Sequence, residues 1–170
     1  MPGSRIAILF VGFAFVASAG SAFAQQSTAA TYGDWVVRCV MQGMPAKKTC
    51  DMEQTTEAQG KNIPISHVAI AQPMKAPPFS LIVQLPVNVW LATGVKIEMN
   101  DKDAGFAGHF VYCAPAGCFA DVEVSADTLK KFRVATAPGR IVFKNAGQRD
   151  VAIPISFKGF GEAYDALVKG

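Results

Sequence analysis

The sequence predicts an all-β sandwich. Three observations carry that expectation. Short runs of alternating apolar and polar residues recur along the chain. Gly, Pro and Asn clusters separate them at close intervals. Only two stretches switch to a helical period, and no repeat of fixed length appears.

The first element lies outside the fold. Arg5 gives a short basic start, and IAILFVGFAFVASA (Ile6–Ala19) is an apolar run. It falls well short of the ~20 residues that span a bilayer and suits the core of an export signal. Ala22-Phe23-Ala24 fits a small-x-small cleavage site, so residues 1–24 are expected to be a cleaved signal peptide and 25–170 a single β-sandwich domain. Removal takes Arg5 with it and leaves 15 basic residues against 13 acidic, a net charge of +2. That balance gives no reason to expect nucleic acid as a partner. No second apolar run reaches spanning length, so no transmembrane segment is expected in the mature chain.

The strands follow in order. Gln25–Thr31 is small and polar and reads as a frayed terminus. In Asp34–Val40, Trp35, Val37 and Cys39 share one face, which is a strand pattern. MQGMPAKK (Met41–Lys48) reads as a loop, and Thr49–Glu53 resumes alternation. QTTEAQGK (Gln54–Lys61) is polar and reads as loop. Ser66–Gln72 turns Val68 and Ile70 inward. QPMKAPP (Gln72–Pro78) is a connection. Phe79–Leu85 places Phe79, Leu81, Val83 and Leu85 on one face, and Pro86 marks its end, since Pro cannot donate to a ladder. Val87–Leu91 and Val95–Met99 flank a turn at Ala92-Thr93-Gly94. Asn100–Gly105 is a polar turn, Phe106–Cys113 an aromatic strand, and Phe119–Val124 the next. Ser125 is placed to cap a short helix over Ala126–Phe132. Arg140–Lys144 and Val151–Phe157 are the last strands, with Gly147 in the turn between. Phe160, Ala163, Tyr164 and Leu167 then fall at i, i+3, i+4 and i+7, a helical stripe.

The cysteines are read through the export signal. All four, Cys39, Cys50, Cys113 and Cys118, lie after the cleavage site, and exported chains meet an oxidising compartment where an even set pairs. Three connectivities are open. Cys39–Cys50 with Cys113–Cys118 is favoured, because each pair is near in sequence and joins neighbouring strand candidates. A redox role for Cys113 and Cys118 would ask for Cys-x-x-Cys at a helix start. Here a strand precedes the pair, and Ala114, Pro115, Ala116 and Gly117 intervene.

Other chemistry finds little support. Zinc would want paired Cys and His ligands. The chain has only His67 and His109, and His109 on a strand would stand about 13 Å from Cys113. Copper accepts thioether and imidazole ligands, which makes Met41, Met44 and Met52, with the histidines, the alternative candidate set. The plainer account is that Met fills gaps. None of Ser27, Ser66, Ser80, Ser125 or Ser156 sits in a nucleophile elbow, and Ser66-His67 are strand neighbours on opposite faces. Asp101 and Asp103 share a polar turn of the kind that aids solubility. Trp35 and Trp90 sit in apolar alternation and are expected in or half in the core. No catalytic residue, metal ligand or cofactor is assigned.

Four segments then resemble one family. YGDWVVRCV (Tyr32–Val40) with Cys50 following resembles the opening of the invasion-associated locus B family. LPVNVWLATGVKIEMND (Leu85–Asp101), CAPAGCFADVEV (Cys113–Val124) and ISFKGFGEAYDAL (Ile155–Leu167) are similar to its central, Cys…Gly-Cys and closing segments, in the same order. Asn88 departs from the pattern, where a small residue such as Gly is expected, and bears only on that turn. The resemblance implies an exported envelope protein of Gram-negative bacteria, periplasmic or secreted, with an immunoglobulin-like β-sandwich and no enzyme activity. A stapled sandwich without a catalytic cluster points to a binding module whose partner is an envelope or host protein, and the resemblance adds host-cell association among its settings. The alternative is a periplasmic ligand or copper carrier. The family has no agreed catalytic residues to transfer, and only the cysteines carry over, as disulfides.

Overall fold

The structure, a computed structural model, describes residues 27–71, 77–100 and 104–169. The expected signal peptide, most of the Gln72–Pro78 connection and the centre of the Asn100–Gly105 turn lie outside the described residues.

Among the described residues, ten antiparallel strands form one continuous ladder. They are β1 (Ser27–Tyr32), β2 (Trp35–Gln42), β3 (Lys47–Glu57), β4 (Pro64–Ala71), β5 (Phe79–Leu85), β6 (Val95–Glu98), β7 (Phe106–Ala114), β8 (Gly117–Val124), β9 (Gly139–Lys144) and β10 (Asp150–Ile155). Their spatial order is β1-β2-β3-β4-β5-β8-β7-β6-β9-β10. Helix α1 (Ala126–Val134) follows β8, and α2 (Phe160–Lys169) ends the fold. This is the all-β, sandwich-like class with two short helices, one of them C-terminal.

Period-2 alternation decides what is inside. β2 buries Trp35 and Val37, β4 buries Val68 and Ile70, and β5 buries Leu81, Val83 and Leu85. From the other half, Ala120, Val122, Val124, Ile97, Ile141, Ile153 and Ile155 join the same core. A flat ladder could not bring these faces together. Hydrogen bonds hold the two halves against each other. The Trp35 Nε1–H donates to the Ser156 carbonyl at 3.0 Å. The buried Gln54 amide donates to the same carbonyl at 3.0 Å and accepts the Ser156 N–H at 2.9 Å. Thr56 Oγ1 donates to the Pro154 carbonyl at 3.1 Å. The β1–β2 turn joins in, since the Asp34 N–H donates to the Lys158 carbonyl at 3.0 Å. The chains approach so closely there that a Cβ on Gly33 would fall 2.5 Å from the Lys158 carbonyl oxygen, and Gly33 also has φ of 57°. Both facts require glycine.

Aromatic rings close one side. Phe160 meets the edge of Trp35 at a centroid distance of 5.2 Å. Phe132 of α1 stacks on Phe157 at 4.8 Å, and Phe79 of β5 stacks on Tyr164 of α2 at 5.8 Å. The Ser125 hydroxyl caps α1 by accepting the Thr128 N–H at 3.2 Å.

Four expectations are corrected. Ser27–Tyr32 is a strand and not a frayed end. All six residues pair with β2, although the first five are exposed. It is held by ladder bonds rather than by burial, so its sequence shows no apolar face. β3 runs on to Glu57 through the polar residues expected as loop, because Gln54 finds internal partners and Thr55 and Thr56 pair with His67 and Ser66. Val87–Leu91 is not a strand. It makes a single bridge, Val89 to Asn145, and leads into a 3-10 turn, Leu91–Thr93. The strands β2 and β3 also extend into the expected Met41–Lys48 loop, which leaves the turn at its centre.

Candidate functional site

The β7–β8 hairpin is built tightly. Cys113 stands directly opposite Cys118, and Ala114 opposite Gly117, so Pro115 and Ala116 form a two-residue turn. The Cys113 and Cys118 sulfurs are bonded, and so are those of the cross-strand pair Cys39 and Cys50 on β2 and β3. Tyr112 stacks on Phe119 at a centroid distance of 4.6 Å. The register slips between Phe110 and Tyr112. One extra residue there ends the alternation, and Val111, Tyr112 and Cys113 all face solvent.

The 3-10 turn packs beside β7. It is anchored by the Trp90 N–H, which donates to the Lys144 carbonyl at 2.7 Å. The anchor holds the backbone and leaves the side chains out. Trp90 is 39 % exposed, Leu91 52 %, Val111 59 % and Tyr112 56 %. Val87, at 62 %, continues the series toward the hairpin tip. Where large apolar groups left in water lie together, they are candidates for contact with another molecule.

The remaining candidates do not converge. Trp35 is wholly buried, whereas Trp90 keeps over a third of its surface in solvent. Met52 is buried in the core, while Met44 is 96 % exposed in the β2–β3 turn. His67 on β4 shares its Nδ1 with Thr55 Oγ1 at 3.1 Å, and its Nε2 lies 3.5 Å from Glu53, which also pairs with Arg38 at 2.7 Å. His109 stands across from Asp121 on β8, and Asp121 accepts the Ser80 hydroxyl at 2.9 Å. Among the described residues no three His, Cys, Asp or Glu side chains come close enough to hold a metal ion. No helix of the described residues is long and apolar enough to cross a membrane.

With that geometry set out, comparison with known proteins gives a match to the family described as invasion associated locus B (IalB) protein, over residues 35–168. The chain belongs to the IalB family. Similar IalB-type relatives are invasion protein B homologs of two Brucella abortus strains, 2308 and 9-941 of biovar 1. Each is 27 % identical over 137 residues, which is 81 % of this chain and 77 % of the relative. The crystal structure of invasion associated protein B from Bartonella henselae superposes with a TM-score of 0.70 at 20 % identity, covering 84 % of this chain and 95 % of that one. At that identity the likeness carries the fold alone. The IalB match begins at Trp35 and so includes both disulfides, the 3-10 turn and the stapled hairpin.

The exposed residues on the turn and hairpin were the part that sequence reading missed. Alternation in Phe106–Cys113 places Tyr112 and Val111 on opposite faces, and only the register slip turns both outward. The one signal was local: Pro86 before Val87 forbids continuation of β5 as a ladder strand.

Proposed function

We propose that this protein is an exported, non-enzymatic interaction module of the bacterial envelope, periplasmic or secreted, that binds a partner protein through the apolar face of Trp90, Leu91, Val111 and Tyr112. The observation that carries this reading is the exposure of those four side chains beside a disulfide-stapled hairpin. A rigid hairpin presents its side chains at little ordering cost on binding, and Trp and Tyr are the residue types that dominate contact energies. The two disulfides support export, because such bonds persist in oxidising compartments. The names of the Brucella and Bartonella proteins support host-cell association as the setting.

The test uses beads coated with the oxidised protein, offered both to envelope extract and to cultured mammalian cells. Expected is saturable capture of one defined protein or saturable cell attachment, reduced at least about tenfold by Leu91→Asp, since a charge in a desolvated contact costs several kcal/mol. Unchanged capture by that variant, with its fold intact by circular dichroism, overturns the assignment of this face.

A further inference from the structure

We propose that the outer edge of β1 is a self-association surface, where two copies of this chain pair strand against strand and one sheet runs through both. This goes beyond the partner face and rests on different residues.

The two edges of the ladder differ. β10 forms one edge, and that edge is blunted. Asp150 puts a charge at its start, and Pro154 has no N–H to donate. The Pro154 carbonyl is already taken by Thr56 Oγ1 at 3.1 Å. Charge, proline and a covering neighbour are the devices that keep a sheet edge from pairing. β1 forms the other edge and carries none of them. Ser27–Tyr32 holds no charge and no proline. Its register on β2 runs unbroken through all six residues. No described strand lies beyond it, and its first five residues are exposed. An edge strand directs alternate N–H and C=O groups away from its one neighbour, and another strand can pair with them.

This edge suits a copy of itself. Two identical strands pair antiparallel about a two-fold axis normal to the sheet, and two-fold dimers are the commonest oligomers. Directly opposed residues share a face, and faces alternate along a strand. Odd positions must therefore meet odd ones, and even positions even ones. A register centred on Ala29 uses only the five exposed residues. Ser27 then meets Thr31 of the other copy, Thr28 meets Ala30, and Ala29 meets Ala29. Hydroxyls face hydroxyls in two symmetric Ser–Thr pairs, a stabilising cross-strand combination. Small methyl groups at the centre leave room for close approach. Centring on Ala30 would instead draw in Tyr32, whose carbonyl already has Gly159 packed against it. The pairing also brings no like charges together. The one charged residue of β2 is Arg38, opposite Ala29, and it is turned toward Glu53 on β3 at 2.7 Å. A foreign strand would gain the backbone bonds without this match of side chains.

Sedimentation equilibrium of the oxidised protein, freed of residues 1–24, tests the pairing. Expected is a monomer–dimer equilibrium with Kd on the order of 100 μM, since five paired residues bury far less than the ~1,200–2,000 Å² of a stable interface. Ala29→Glu and Ala29→Lys each set like charges directly opposite one another across the two-fold axis. Each should weaken the dimer at least about fivefold, with the fold intact by circular dichroism because the position is exposed. Mixed in equal amounts, the two variants should associate at least as tightly as the unsubstituted protein, because opposite charges then meet. A protein that stays monomeric up to about ten times that Kd overturns the proposal. So does a dimer indifferent to both charge variants, and so does a mixture that fails to recover association. Leu91→Asp lies on the partner face and should leave the dimer unchanged. Lost capture with intact dimerisation thus sinks the partner-face reading alone, and a monomer that still captures its partner sinks the β1 pairing alone.

Discussion

The strands β5, β8 and β7 run between two unlike ends. At one end stand Phe79, Val124 and Phe106, and at the other Leu85, Cys118 and Cys113. The first end is covered. Phe79 stacks on Tyr164 of α2, and Phe106 meets the edge of Phe132 of α1 at 5.7 Å. The second end is bare. Its aromatic residues, Trp90 and Tyr112, and the aliphatic Val87, Leu91 and Val111 are in solvent. The same residue types are used twice. Where helices return over the sheet, aromatic rings complete the core. Where the chain supplies a two-residue turn and a disulfide instead of a helix, apolar side chains stay uncovered, and the staple keeps the surface in shape. Stability thus belongs to the covered end, and the proposed recognition surface to the bare one.

The sharpest way to break this division is to remove one large ring from each end. Phe132 is wholly buried and touches Phe106, Phe157 and Phe160. Phe132→Ala should lower unfolding free energy by about 3–5 kcal/mol, transfer and cavity terms together. Trp90→Ala should cost under about 1 kcal/mol while reducing partner capture. Urea unfolding of the oxidised proteins measures both. Comparable losses in stability would mean that the bare end is part of the core.

The disulfides give a second, smaller contrast. Cys39–Cys50 closes a loop of sequence separation 11 on the β2–β3 pair, against which α2 packs, and Cys113–Cys118 one of 5 at the bare end. The chain-entropy account gives roughly 3 and 2 kcal/mol respectively. Replacing each pair by Ala should reproduce that order in urea unfolding. In hydrogen exchange, loss of Cys113–Cys118 should speed the hairpin amides while α2 stays protected. Uniform acceleration across both ends would show that the hairpin is not an independent unit.

This contrast also explains how far the sequence could be read. Strands with an apolar face declared themselves, as Phe79–Leu85 does, because alternation follows directly from burial. The C-terminal helix did so through Phe160, Ala163 and Leu167, all of which are buried. Elements held by hydrogen bonds without burial did not. β1 exposes nearly all its residues, and the end of β3 relies on a buried Gln54 whose partners lie about a hundred residues away. The proposed interaction face escaped for the same reason. It depends on a register slip at Phe110–Tyr112. That is a fact about pairing between segments, and no local pattern in Val111 records it.

The finest test lies on the solvent side of the covered end. Arg133 of α1 clasps Asp165 of α2 with two bonds, at 2.7 and 2.9 Å. The hydrogen bond from Arg133 holds the Asp165 carboxyl below its ordinary pKa, and the same bond raises the guanidinium further. A lowered carboxylate pKa contributes stability above the unfolded-state value of about 3.9, and that contribution is lost as pH falls through the folded-state value. The Arg133 shift lies beyond the pH range in which folding is measured. Because both groups are largely solvated, screening leaves only about half a kcal/mol. Asp165→Asn should therefore lower stability by that amount at pH 7, by less in high salt, and by nothing once the pH is well below 3.9. If the deficit instead persists unchanged into acid, the clasp acts through shape and not through charge. The helix pair is then held by its buried rings alone, with Phe132 and Phe160 in edge contact at 5.4 Å.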